Sequence, residues 1–164
     1  MTLYLLRHAQ AGSRATWDGN DDTRRPLTSQ GRRQAADLVG LLVDFPIDRV
    51  FTSPYLRCVE TVAPLTARLE MPLEITEALA EGPEDDALAL VRSLGSGNVV
   101  MCSHGDIIPA LLDTFRRMDR VDLGTGPRCQ KGSVWMLEPG PVFNRAVYLP
   151  PPKSKPVSVT EPVD

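Results

Sequence analysis

The order of apolar patterns along the chain predicts an α/β fold on a largely parallel sheet. Short runs of strand character alternate with stretches of helical periodicity from the first residues onward, which is the pattern of strand-helix-strand units. The chain has 164 residues, 42% hydrophobic and 24% charged, enough for one domain with a single packed core. Capping residues and prolines stand at several joints between the runs, where such units need them.

Leu3 to Leu6 reads as the first strand and ends at Arg7 and His8. The polar, glycine-containing segment from Ala9 to Pro26 follows as a loop of 18 residues, long enough to carry function. Thr28 suits the N-cap of a helix reaching about Asp44, with Ala35, Leu38, Val39, Leu42 and Val43 on its apolar face and Pro46 beyond its end. Val50 to Thr52 forms the second strand. Ser53 and Pro54 then offer a cap and a first-turn proline, which sets Arg57 in the second turn of the next helix. Pro64 predicts a kink or break near Ala63, because it donates no hydrogen bond and crowds the carbonyl of Glu60.

Leu73 to Thr76 reads as a strand, and Glu84 to Leu94 as a helix after a Glu-Gly-Pro turn. Val99 to Cys102 is the clearest strand and runs into Ser103, His104 and Gly105. Asp106 caps a helix to about Met118, with Pro109 as its third residue, where no intrahelical bond is lost. Val134 to Leu137 and Ala146 to Leu149 pair as the last strands around a turn from Glu138 to Pro141. Composition changes at Pro150, so residues 1–149 read as the domain and 150–164 as an extended Pro-rich tail.

A formal charge of −3, from 18 Lys and Arg against 21 Asp and Glu, argues against nucleic acid as a partner. The apolar runs are a few residues long where a membrane span needs about 20, which argues against a membrane. The N-terminus meets Arg7 and His8 at once, unlike a signal peptide, and a cytoplasmic protein is expected. Cys58, Cys102 and Cys129 form no C-x-x-C pair and read as reduced, mostly buried thiols. A cysteine phosphatase is excluded, because the residues six after them are Pro64, Ile108 and Trp135. The cluster from Asp18 to Asp22 lacks the Gly and Glu of a calcium loop, having Thr23 and Ser29 there, and reads as a loop over a site. No Walker or complete dinucleotide glycine pattern is present.

In an open α/β sheet, ligands bind beyond the carboxyl ends of the strands. Those ends hold Arg7 and His8, Ser53 and Arg57, and Ser103 and His104, and they account for both histidines of the chain. Taken singly, each histidine reads as a structural residue and each arginine as a surface charge; taken together they fit a compact dianion such as a phosphoryl group. Arginine forks bind its oxygens in pairs, and cationic neighbours keep one imidazole neutral and nucleophilic while the other donates to the developing charge.

Leu6-Arg7-His8-Ala9-Gln10-Ala11-Gly12 resembles the first signature of the histidine phosphatase superfamily, which also contains the phosphoglycerate mutases. Ser53-Pro54-Tyr55-Leu56-Arg57-Cys58-Val59-Glu60-Thr61 is similar to its second motif, and Ser103-His104-Gly105 to its third. Three motifs in order across some 100 residues make the resemblance specific; it covers Met1 to Leu149. Within the superfamily the chain looks most like the small SixA-like phosphohistidine phosphatases, by its length, its R-H-A-x-A-G start and the segment from Asp22 to Gly31. Similar domains also follow Nudix hydrolase domains.

The resemblance implies a three-layer α/β/α sandwich, with His8 as nucleophile and Arg7, Arg57 and His104 holding the phosphoryl oxygens. Ser13 and Ser53 join Arg7, Arg57 and His104 as substrate-binding candidates. It implies no metal and no cofactor. Glu81, in Leu79-Ala80-Glu81-Gly82, is the nearest match to the family's general acid, against the alternative of an ordinary turn residue before Pro83. Protonating an alkoxide needs such an acid, whereas a phosphoramidate nitrogen can leave already protonated. Cys58 and Glu60 depart from the usual motif beside Arg57 without removing an essential group. The substrate expected first is phosphohistidine on a protein; a small phosphoester or phosphorylated nucleotide stays open, as does a non-catalytic phosphate-binding module. A mutase fits less well, because mutases carry larger enclosing insertions. Arg24-Arg25, Arg32-Arg33 and Arg116-Arg117-Arg120 read equally as attractors of acidic groups and as solvated faces.

Overall fold

Successive side chains of a strand face opposite sides of a sheet. In the computed structural model, which describes residues 1–125, 128–139 and 143–153, Leu3 and Leu5 therefore pack on one side and Tyr4 and Leu6 on the other, all buried. They belong to β1 (Thr2–Arg7), at the heart of a six-stranded sheet with β2 (Arg49–Thr52), β3 (Leu73–Ile75), β4 (Asn98–Ser103), β5 (Val134–Pro139) and β6 (Phe143–Leu149). The order is β3-β2-β4-β1-β5-β6. The pairs β1·β4, β2·β4 and β2·β3 are parallel, while β5 joins β1 antiparallel and β6 joins β5 antiparallel.

Helices cover both faces, which makes the three-layer sandwich. α1 (Ser29–Leu42) and α2 (Leu56–Leu69) bury Leu38, Leu42, Val62 and Leu65 against Tyr4, Leu6, Val50 and Val100. α3 (Asp85–Ser93) and α4 (Ile107–Thr114) bury Ala87, Val91, Ile108 and Leu111 against Leu3, Leu5, Val99 and Met101. Burying such side chains contributes about 1.5–3 kcal/mol each. The long loop after His8 carries two 3₁₀ turns, Arg14–Thr16 and Asp22–Arg24.

Thr28 caps α1, accepting from Gly31 N at 3.0 Å. The start of α2 differs from the sequence reading: Tyr55, not Ser53, is its N-cap, and Pro54 lies before the helix. The Ser53 hydroxyl, two residues ahead of the cap, accepts from Tyr55 N at 3.3 Å and meets His104 Nε2 at 2.8 Å. α2 runs through Pro64 unbroken. α4 is shorter than expected, ending at Thr114, and continues to Asp119 as a π turn. The centre of the β5–β6 turn and residues 154–164 of the tail lie outside the described residues.

Candidate active site

Parallel pairing in register brings the carboxyl ends of β1, β2 and β4 to one edge, with Arg7 opposite Ser103 and Thr52 opposite Cys102. The backbone leaving each strand is tied to its neighbour: His8 N donates to Ser103 O at 3.0 Å and Ser53 N to Cys102 O at 3.0 Å. Thr61 on α2 fastens the second motif to the first, accepting from Ala9 N at 2.9 Å and donating to Arg57 O at 2.6 Å. His8, Arg57 and His104 are consequently buried, and the two imidazole centroids stand 5.5 Å apart.

His8 Nδ1 lies 2.8 Å from Ala9 O. A carbonyl only accepts, so Nδ1 carries the proton and Nε2 keeps its lone pair; this tautomer is assigned from the hydrogen bond. Burial pushes the His8 pKa down to about 3; the neighbouring His104, Arg57 and Arg7 work in the same direction, and the bond to Ala9 works against it. His8 is therefore held in its neutral form at ordinary pH.

His104 is oriented from behind. Ser53 Oγ accepts from Tyr55 N at 3.3 Å and stands 2.8 Å from His104 Nε2; with the hydroxyl assigned as donor to that nitrogen, Nδ1 holds the ring proton. Tyr55 packs edge-on to the same ring at 4.7 Å and lies under the Arg57 guanidinium. Three buried donor atoms, Nδ1 of His104 and Nε of Arg7 and Arg57, have no hydrogen-bond partner among the described residues. Buried polar atoms are ordinarily satisfied, and an anion between these side chains would satisfy them. Arg7 itself packs against the third motif: a Cβ on Gly105 would sit 2.6 Å from Arg7 Cζ, so only glycine admits the guanidinium there.

Carboxylates stand over part of this floor. Arg57 Nη2 is 2.7 Å from Glu81 Oε1 and 3.2 Å from Asp22 Oδ2, and Arg14 Nη2 reaches the same two residues at 2.9 and 3.3 Å. Glu81 Oε1 is also 3.5 Å from His104 Nδ1, without the alignment of a hydrogen bond. The Glu81 segment is held in place because Ser103 Oγ donates to Leu79 O at 2.8 Å and Gly82 N to Asp106 Oδ2 at 3.1 Å. Hydrogen bonding to Arg25 draws the Asp22 carboxyl down to about 2.

A cavity of about 620 Å³ opens beside Arg7, His8 and Glu81. Arg57 and His104 lie beneath its carboxylates and do not line it. Of the two serine candidates, Ser13 lines the cavity and caps the first 3₁₀ turn, while Ser53 is fully buried, does not line the cavity and stands 2.8 Å from His104 Nε2. The sequence alone does not mark Arg14, Asp22, Arg25 or Lys131 as site residues. The one local signal was the Asp22-to-Pro26 segment, since Asp22 binds the buried Arg25 three residues on at 2.7 Å. Among the described residues, no group of three His, Cys, Asp or Glu side chains gathers as metal ligands.

Residues 3–83 match the model of the histidine phosphatase superfamily, branch 1, and the chain belongs to that family. The 8-oxo-(d)GTP phosphatase of Mycolicibacterium smegmatis is 35% identical over 163 residues, covering 94% of this chain and 49% of that protein. The chain thus spans about half the length of that relative. The phosphohistidine phosphatase SixA homolog of Haemophilus influenzae is 28% identical over 130 residues, covering 68% of this chain and 77% of it. The solved structure of protein histidine phosphatase SixA with tungstate shares the fold, with a TM-score of 0.70 at 22% identity over 89% of this chain and 96% of that one. No helix among the described residues is long and apolar enough to cross a membrane.

Proposed function

We propose that the chain is a phosphatase in which His8 Nε2 takes a phosphoryl group from the substrate and passes it to water. The observation that carries this reading is a buried, neutral imidazole whose Nδ1 is committed to Ala9 O, leaving Nε2 free beside unpartnered donors of Arg7, Arg57 and His104. The incoming dianion displaces Glu81 and Asp22 from Arg57, and its oxygens take the donors that the carboxylates leave. His104 then stabilises the charge of the transition state through Nδ1–H, and Ser53 positions it. The positive charge around the phosphoryl group comes from guanidiniums, so the reaction as read needs no metal.

Glu81 meets Arg57 and His104, where a general acid for an ester leaving group would stand. Two substrate classes fit this chemistry. Phosphohistidine on a protein is the first, expected from the sequence resemblance. The second is a phosphorylated nucleotide, favoured by the 8-oxo-(d)GTP phosphatase that aligns along 94% of the chain. Phosphate release with excess chelator from a phosphohistidine protein, a nucleotide and an aryl phosphate tests the reading. Wild type is expected to act on at least one of them, and His8→Ala to lose on the order of a thousandfold or more. Turnover that survives in His8→Ala, or vanishes on chelation, would contradict the mechanism.

A further inference from the structure

The cavity is larger than the phosphoryl group it serves. Its volume of about 620 Å³ lies within the range of sites that enclose a whole small molecule. Arg14, Arg25 and Lys131 line it beyond His8. Arg14 is already paired with Glu81 and Asp22, and Arg25 with Asp22 and the carbonyl of Gly12. Lys131 has no carboxylate partner among the described residues. Partial loss of solvent, then the repulsion of Arg7, Arg25 and Arg57, lowers its pKa.

The lysine is also mounted firmly against the nucleophile. Gly132 N donates to both Arg7 O at 3.1 Å and His8 O at 3.2 Å, and Gln34 Nε2 donates to Lys131 O at 2.8 Å. Gly132 has φ +78°, and a Cβ there would lie 2.6 Å from Gln34 Cδ, so the turn that presents Lys131 requires glycine. An uncompensated cation that lines the same cavity as His8, on a backbone tied to Arg7 and His8, is placed to meet a second anionic group of the substrate.

Resting on the phosphatase reading, we propose that Lys131 is a specificity-determining residue that binds the phosphate adjoining the scissile one, so that the preferred substrates are phosphoanhydrides of the nucleoside di- or triphosphate type. His8 Nε2 attacks the terminal phosphorus as its bond to the bridging oxygen breaks. The shortened nucleotide leaves with that electron pair, and water then takes the phosphoryl group from His8 as inorganic phosphate, losing its proton to solvent. A phosphate leaving group is stable as an anion and leaves without a proton from a general acid. A phosphohistidine protein offers Lys131 no second phosphate.

The test compares wild type, Lys131→Met and Lys131→Arg on a purine nucleoside diphosphate and on p-nitrophenyl phosphate. In Lys131→Met the ratio of kcat/KM for the diphosphate to that for the aryl phosphate is expected to fall about tenfold or more, through KM, with Lys131→Arg retaining most of it. An unchanged ratio, or an equal fall on both substrates, overturns the assignment while the phosphatase reading stands. A wild type inactive on both of these and on a phosphohistidine protein overturns both. A wild type active only on the phosphohistidine protein overturns the Lys131 assignment alone.

Discussion

The floor and the rim of the cavity are built on different principles. On the floor, His8, Arg57 and His104 are at most 5% exposed and are fixed by strand ends, by Thr61 and by Ser53. On the rim, the side chains of Arg14, Asp22 and Glu81 are 64%, 29% and 29% exposed and hold one another across the 67 residues between Arg14 and Glu81. The floor spends folding energy to keep donors desolvated and unpaired. The Arg14 pairs of the rim rearrange at little cost, because exposed ion pairs contribute only about 0–1 kcal/mol each. Rigid groups therefore carry the chemistry, and exchangeable ones admit and select the substrate.

Arg57→Ala should break this division most visibly after loss of His8 itself. It removes the floor's link to the phosphoryl group and is expected to lower kcat/KM about a hundredfold in a steady-state assay. A loss below tenfold would place Arg57 with the rim.

Acid should next expose the cost of the buried floor. His8 has a pKa of about 3 when folded and an ordinary value near 6.5 when unfolded. Between those values the unfolded chain binds the extra proton, so this contribution is complete above about pH 6.5 and is lost as pH falls toward 3. Urea unfolding at pH 7, 6, 5 and 4 should show stability falling more steeply in wild type than in His8→Asn. The difference should approach about 1.4 kcal/mol per pH unit. Equal slopes would mean that His8 is solvated. The Lys131→Met effect is expected to be the smallest, confined to one substrate class.

Legibility follows the same division. The parallel strands, the Thr28 cap and the floor residues could be read from the sequence, because β-branched runs, an N-cap and strand-end position are local signals. The start of α2 could not, since Ser53 looks like a cap, yet Tyr55 takes that place and the Ser53 hydroxyl meets His104, 51 residues away. The rim was equally hidden. Arg14 and Lys131 look like ordinary surface cations, and only the folding of the long loop against Glu81 and the tie from Gly132 to β1 bring them to the cavity. Glu81 stood out in the sequence only by resemblance, and its contact with Arg57 is tertiary.

The most direct measurement is rapid quenching under alkaline conditions during turnover, followed by mass spectrometry of the peptide that holds both His8 and Arg7. An acid-labile phosphoryl group is expected on His8, formed and lost at rates compatible with turnover and absent from His8→Ala. Steady turnover with no phosphoryl group on His8, or with the group on His104, would contradict it.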